Sequence, residues 1–181
     1  CDSCHQPHSS AKTALLPDEG YEVCLTCHTD LRQVQNAKHV HEPVAEMNCN
    51  ACHAAHGNNE NAYLLQEQPG LCLRCHQVDR DWETGVAHVP AVEGECGACH
   101  VPHAGSLPDL LTAEGSGLCV DCHDQDAVVL KASHQGVAPG PGSCLQCHDP
   151  HGSKDAGLTL PIKHEPFGEG DCQACHQGGN S

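Results

Sequence analysis

The sequence predicts a chain with little regular secondary structure, in which short helical turns and loops form a repeating array. Three observations predict this fold class. Leu, Ile, Val and Phe make up roughly 17% of the 181 residues, which with a formal net charge of -16 is typical of chains that cannot fold alone. The 18 glycines and 12 prolines exclude long helices, except over residues 29–40. All 16 cysteines recur in one short motif at regular spacing.

That motif is C-x-x-C-H, and it occurs eight times with no cysteine left over. It is the attachment signature of c-type haem. Positions i, i+3 and i+4 of a helical turn share one face, so two thiols can bond one porphyrin while the histidine binds its iron. We therefore predict eight covalent haem c groups. In motifs 1 to 8 the cysteines are Cys1 and Cys4, Cys24 and Cys27, Cys49 and Cys52, Cys72 and Cys75, Cys96 and Cys99, Cys119 and Cys122, Cys144 and Cys147, and Cys172 and Cys175. The proximal ligands are His5, His28, His53, His76, His100, His123, His148 and His176.

Three other interpretations of the cysteine pairs explain less. A disulfide framework suits an even cysteine count but gives no reason for a histidine after every pair. Structural zinc sites use C-x-x-C halves but do not require that histidine. A thioredoxin-like redox pair needs a strand and helix alternation that the sequence does not show.

The remaining histidines predict the second axial ligands. Of 17 histidines, nine lie outside the motifs, and eight of these are in register with them. The single methionine, Met47, cannot serve eight irons, so we expect two histidines on each iron. His8, His56, His103 and His151 stand three residues after a motif histidine; His41, His88 and His164 stand eight residues before a motif, and His134 stands ten before. His39 is left over.

The spacing of the motifs defines a two-haem repeat of about 48 residues. Motifs 1, 3, 5 and 7 each open an octet with a second histidine at its end: CDSCHQPH (1–8), CNACHAAH (49–56), CGACHVPH (96–103) and CLQCHDPH (144–151). Motif 8 has an upstream His-Glu-Pro but lacks the second histidine, so the last repeat is truncated. We expect residues 1–181 to form one domain whose core is a linear stack of haems.

The octets also predict how neighbouring haems are connected. Three residues span at most about 10 Å, too little for His8 to pass round the porphyrin edge to the far face of the iron held by His5. The second histidine of an octet must therefore bind another iron. The simplest rule gives it to the next haem, and gives each upstream histidine to the haem that follows it. Haem 1 then lacks a donor, while His151 and His164 compete for haem 8.

With its eight C-x-x-C-H motifs and repeated octets, the chain resembles the multihaem c-type cytochromes with a doubled CXXCH motif over residues 1–176. The resemblance implies electron transport along stacked bis-histidine haems, in the periplasm, at the outer membrane or in extracellular filaments.

Function follows from filled axial positions and from charge. Irons with two protein ligands have no site for a substrate, so we expect an electron conduit and not an enzyme. A multihaem reductase with one labile site and a haem store are the alternatives. The net charge of -16 excludes nucleic acid as a partner. No apolar run is long enough to span a bilayer, and the chain is expected to be exported.

The surplus and deficit of ligands at the two ends predict head-to-tail assembly into an extracellular filament. Other redox proteins or extracellular acceptors are the expected partners. A monomeric periplasmic or outer-membrane shuttle, with His39 folded back to haem 1, is the alternative.

Overall fold

The computed structural model describes residues 1–78, 84–124, 128–134, 136, 142–171 and 174. In these residues regular structure is confined to short helices and two-residue strands, which confirms the predicted fold class. No helix in the described ranges is long and apolar enough to span a membrane.

The α-helices are four or six residues long. They are α1 Gly20–Leu25, α2 Glu42–Ala45, α3 Val89–Val92, α4 Gly117–Val120, α5 Val128–Ser133 and α6 Glu165–Gly168. Three of them, α2, α3 and α6, begin directly after His41, His88 and His164, with a proline in the first turn. Proline fixes φ near its helical value, so it starts a helix at a position where its missing N–H is not needed.

Short 3-10 helices, of three residues each except for the eight-residue Thr29–Asn36, form the remaining helical structure of the described residues. They are Thr13–Leu15, Thr29–Asn36, Cys49–Ala51, Asn61–Tyr63, Cys72–Arg74, Cys96–Ala98, Pro108–Leu110, Cys144–Gln146 and Ala156–Leu158. The segment expected as the one longer helix, 29–40, is a 3-10 helix only over Thr29–Asn36. It then bends and becomes a strand.

Four two-residue strands connect successive repeats. They are β1 His39–Val40, β2 Val86–Ala87, β3 Ala104–Gly105 and β4 Gly152–Ser153. Strand β1 pairs antiparallel with β3, and β2 pairs with β4 in the same way. Each pair joins the segment before one octet to the segment after the octet of the following repeat, so successive repeats are interlocked.

Side chains form almost no core. Among the described residues, Val23 and Leu25 are the buried apolar side chains, and none is fully buried. The accessible surface is 13101 Å², whereas a compact protein of 19.1 kDa exposes about 8400 Å². The polypeptide is an open framework around its motifs, as the composition predicts.

Candidate metal centres

Motifs 1 to 7 share one backbone hydrogen bond. In each, the amide of the motif histidine donates to the carbonyl of the first cysteine, at N···O distances of 2.8 to 3.0 Å. This bond closes one helical turn and places both thiols and the imidazole on the same face. The described cysteines form no disulfides. Cys172, Cys175 and His176 of motif 8 lie outside the described residues.

The motif histidines of the octets are held by a backbone carbonyl nine residues further on. Nδ1 lies 2.7, 2.9, 2.8 and 2.6 Å from the carbonyl oxygens in the pairs His5 with Ala14, His53 with Ala62, His100 with Asp109, and His148 with Gly157. A carbonyl oxygen only accepts, so Nδ1 carries the proton and Nε2 keeps its lone pair. Metal-binding histidines have this arrangement, in which the second nitrogen fixes the ring and its tautomer.

The accepting carbonyls belong to strained turns. Each acceptor residue and its successor have a positive φ, in the pairs Ala14 and Leu15, Ala62 and Tyr63, Asp109 and Leu110, and Gly157 and Leu158. Residues with a Cβ rarely adopt this left-handed conformation, because the Cβ crowds the carbonyl oxygen. The same strained turn recurs in all four repeats where it presents a carbonyl to a motif histidine. This recurrence indicates that the strain is retained because the carbonyl holds the motif histidine, and not because the local sequence favours a positive φ.

The strain predicts opposite effects of two substitutions. Gly157→Ala should lower the free energy of unfolding by about 1 kcal/mol, and Ala62→Gly should raise it by a similar amount. An added Cβ at Gly157 meets no atom within 4 Å, so the loss would report φ alone. Denaturant unfolding of the haem-loaded protein measures both. Gly97→Ala is the control, since Gly97 also has open space but lacks a positive φ. Equal changes at Gly157 and Gly97 would contradict the strain argument.

Three histidines outside the motifs are fixed in the same way. Nδ1 of His41 lies 3.0 Å from the carbonyl oxygen of Pro102, and Nδ1 of His88 lies 2.6 Å from that of Pro150. Nδ1 of His134 lies 2.8 Å from the carbonyl oxygen of Leu130. Pro102 and Pro150 occupy the x-P-H position of their octets, so these octets orient histidines from the preceding repeat.

Six motif histidines face a second histidine. The ring centroids are 5.7 to 6.2 Å apart in the pairs His5 with His56, His41 with His76, His53 with His103, His88 with His123, His100 with His151, and His134 with His148. Metal–nitrogen bonds of about 2.0 Å place the centroids of two axial imidazoles on one iron roughly 6 Å apart. The pairs therefore fit an iron between them.

These pairs correct the expected order of connection. The second histidine of an octet was expected to serve the next haem, but His56, His103 and His151 face motif histidines of the preceding octet. His41 and His88 were expected to serve motifs 3 and 5, but they face motifs 4 and 6.

Two further consequences follow from the same pairs. Motif 1 was expected to lack a donor, yet His5 faces His56. His151 was expected to compete for motif 8, yet it faces His100. The pair of His134 with motif 7 is as expected. The antiparallel strand pairs explain the corrected connection, because they place the residues before one octet against the octet of the following repeat.

The electrostatic surroundings of His103 suit a neutral ligand. Burial lowers the pKa of His103, and the neighbouring His53 and His41 lower it further. A histidine must be neutral to bind a metal through Nε2, so this environment favours the binding form at neutral pH.

The cysteines show that consecutive motifs lie side by side. Burial and the nearby Cys49 raise the pKa of the Cys24 thiol, and Cys96 acts on Cys72 in the same way, so the thiols of each pair lie near each other. Burial raises the pKa of the Cys72 thiol to about 11, and the nearby Cys96 and Cys52 add to the shift.

The same kind of contact continues along the chain. Burial and the nearby Cys144 raise the pKa of the Cys119 thiol, and Cys99 adds to the shift. Cys24 also interacts with Cys4, and Cys99 with Cys122. Motifs 1 to 7 therefore follow one another in space in the order of the sequence.

Comparison with protein families decides which class of metal centre this is. A family described by a doubled CXXCH motif matches residues 1–33, 41–81, 88–128 and 134–162. The chain belongs to this family. It is a multihaem c-type cytochrome, and its C-x-x-C-H motifs bind haem covalently. No curated protein matches the chain.

The geometry of this cytochrome agrees with haem and disagrees with zinc. A structural zinc ion needs four protein ligands. In the described ranges no group of three or more His, Cys, Asp or Glu side chains could hold a metal ion. Two histidines lie close together at each of the six paired centres, and a bound porphyrin would supply the remaining metal ligands.

Sequence reasoning missed the backbone groups of the site. The carbonyls of Ala14, Ala62, Asp109 and Gly157 were not foreseen, although a constant nine-residue spacing after each octet's motif histidine was available as a signal. Three histidines outside the motifs have no ring partner in the described part of the chain. His8 and His164 are exposed, whereas His39 is half-buried.

Proposed function

We propose that this cytochrome carries electrons over a long distance through eight covalently bound c-type haems, each with two axial histidines. The observation that carries the proposal is the set of six histidine pairs, whose centroids are 5.7 to 6.2 Å apart. In every pair, a backbone carbonyl holds Nδ1 of at least one ring. Nε2 of that ring therefore keeps its lone pair for a metal.

The order of the motifs supports transport along the chain. Each thiol would bond to the edge of its porphyrin, so adjacent thiols of consecutive motifs bring porphyrin edges together. Electrostatic interactions between the thiols of consecutive motifs extend from motif 1 to motif 7. Electron transfer needs short gaps between cofactors, and this order of motifs would provide them along the chain.

Filled axial positions favour a conduit over a reductase. An iron with two histidines offers no position to nitrite or to another small substrate. Carbon monoxide added to the reduced protein should therefore leave its absorption spectrum unchanged. A spectrum of the carbonyl complex from at least one haem per chain would instead support an enzyme with a labile site.

The pairing rule also supports head-to-tail assembly into an extracellular filament. The second histidine of an octet faces the motif histidine of the preceding octet, and His8 has no ring partner among the described residues. Motif 8 has the upstream His-Glu-Pro of an octet motif but lacks the second histidine of an octet. His8 of one copy binding the iron of motif 8 in another would extend the rule across the contact. Such a contact does not close on itself and therefore forms a filament.

Negative-stain microscopy tests this assembly directly. The haem-loaded wild-type protein should form filaments, and His8→Ala should leave single subunits, because the bridging ligand is lost. The control is Gln6→Ala, which changes the same octet without removing a ligand. Uniform small particles of wild-type protein at every concentration would contradict the filament and favour a periplasmic or outer-membrane shuttle.

Charge bears on where the cytochrome works and on its partners. The polypeptide carries a net charge of -16, and the haem propionates make it more negative. Basic surfaces of other redox proteins, or extracellular acceptors reached through cations, are the proposed partners. Copies of one sign repel, so assembly should strengthen as salt screens the charge.

A further inference from the structure

We propose that His39 is the second axial ligand of the iron held by motif 2. The proposal rests on the proposed function, because it assumes a c-type haem on His28 with two histidine ligands. Among the described motif histidines, His28 is the one without a second histidine ring at the centroid distances of 5.7 to 6.2 Å that the six pairs show.

The first observation is the state of the His39 ring. Its Nε2 atom is buried and has no hydrogen-bond partner, and it is the one such side-chain atom among the described residues. A buried polar atom without a partner is destabilising, and such atoms are rare in folded proteins. Nε2 is also the atom that binds iron in the other predicted pairs. An iron bound to this nitrogen would give it the partner that it lacks.

A comparison of β1 with β2 shows that packing does not require a histidine at position 39. Val86 occupies the equivalent place, since it is the first residue of β2 as His39 is the first residue of β1. Val86 lies opposite Ser153, and His39 lies opposite Gly105. The strand therefore forms with either side chain, and the histidine in the first repeat needs another reason.

The chain geometry brings His39 within reach of motif 2. His28 caps the 3-10 helix Thr29–Asn36, and this helix packs against β3, the partner strand of β1. The eight-residue helix spans about 16 Å. Two histidines on one iron separate their Cα atoms by roughly 12 Å. The chain bends at residues 37–38. This bend needs to shorten the Cα separation only from about 16 Å to about 12 Å.

A second short-range pair shows that the repeat rule admits local ligands. His134 and His148 are only 14 residues apart, whereas His41 and His76 are 35 apart. The local pair occurs where motif 8 lacks the octet histidine that the rule would supply to motif 7. His28 and His39 are 11 residues apart and would form a second local pair.

The other two histidines without a ring partner among the described residues are weaker donors to motif 2. His8 and His164 are both exposed, so they have no buried nitrogen that needs a partner. His164 of a second copy is the rival donor, since an upstream histidine of this type faces the second motif of a repeat in the pairs of His41 and His88. A comparison of His39 with His164 therefore decides the assignment.

The experiment compares His39→Ala with His164→Ala in the haem-loaded protein. In the His39→Ala variant one iron per chain should become high-spin in the ferric electron paramagnetic resonance spectrum and should bind carbon monoxide when reduced. Added imidazole should restore the low-spin spectrum. His164→Ala should leave motif 2 low-spin. An unchanged spectrum of His39→Ala, or a high-spin iron at motif 2 in His164→Ala, would overturn the proposal.

A second background identifies the iron. With Cys24→Ala and Cys27→Ala removing the haem of motif 2, His39→Ala should add no high-spin iron. A high-spin iron in that background would place His39 on another haem and overturn the proposal.

A ligand exchange covers the case in which His39→Ala does not fold. In His39→Met, one haem should take histidine and methionine ligands and acquire a higher reduction potential, whereas an unchanged set of potentials would overturn the proposal.

The electron paramagnetic resonance spectrum of the wild-type protein distinguishes failure of this proposal from failure of the proposed function. A wild-type protein with several high-spin irons would contradict the bis-histidine conduit, whatever the variants show.

Discussion

Replacing His103 with alanine is expected to change the iron of motif 3, which is about fifty residues earlier in the chain. His103 faces His53 with ring centroids 6.0 Å apart, whereas the motif histidine of its own octet, His100, faces His151. The His103→Ala variant should therefore show one high-spin ferric iron per chain, held by Cys49 and Cys52, and should bind one equivalent of carbon monoxide when reduced. The iron of motif 5 should stay low-spin.

A matched control separates loss of the ligand from disturbance of the octet. Pro102→Ala keeps the backbone carbonyl that accepts from His41, and octet 49–56 already has alanine at this place. Its irons should all stay low-spin. Removing the motif 3 haem by Cys49→Ala and Cys52→Ala should abolish the high-spin signal of His103→Ala. Persistence of that signal would contradict the pairing.

The polypeptide without haem is expected to be unfolded. Val23 and Leu25 are its buried apolar side chains in the described ranges, and the strong core-forming residues are too few to offset the conformational entropy of ordering the chain. Expression without covalent haem attachment should give a chain with a disordered far-ultraviolet circular dichroism spectrum and rapid cleavage by protease throughout.

The haem-loaded protein is the control for this measurement, and it should resist the same protease. A haem-free chain with a cooperative thermal transition would contradict the account, because it would show a side-chain core that the structure does not contain. Urea added to both samples provides the unfolded reference.

Sequence reasoning predicted the fold class because it depends on composition and motif spacing. The C-x-x-C-H turn, the octets and the two-haem repeat all follow from residues close together in the chain. The geometry of the turn is local, so Cys49, Cys52 and His53 could be placed on one face from spacing alone. The scarcity of apolar residues likewise predicted a framework without a core.

The connection between repeats could not be predicted, because it depends on pairing over long distances in the chain. The position of His41, eight residues before motif 3, is equally compatible with binding the iron of motif 3 or that of motif 4. In the structure His41 faces His76 of motif 4, and the pairing of β1 with β3 places it beside the octet that ends at His103. Two-residue strands have no sequence pattern strong enough to be recognised in advance.

The strained turns were also hidden from sequence reasoning. Ala14, Ala62 and Asp109 give no sign of a positive φ, and Gly157 alone at the equivalent place indicates it. The strain is visible only once the carbonyl of each turn is seen to accept from a motif histidine.

Quantitative electron paramagnetic resonance of the fully oxidised, assembled protein tests the central claim most directly. The spectrum should account for eight low-spin ferric irons per chain, and no high-spin signal should appear at neutral pH. A high-spin signal equal to one or more irons per chain in the native protein would contradict a conduit of eight bis-histidine haems.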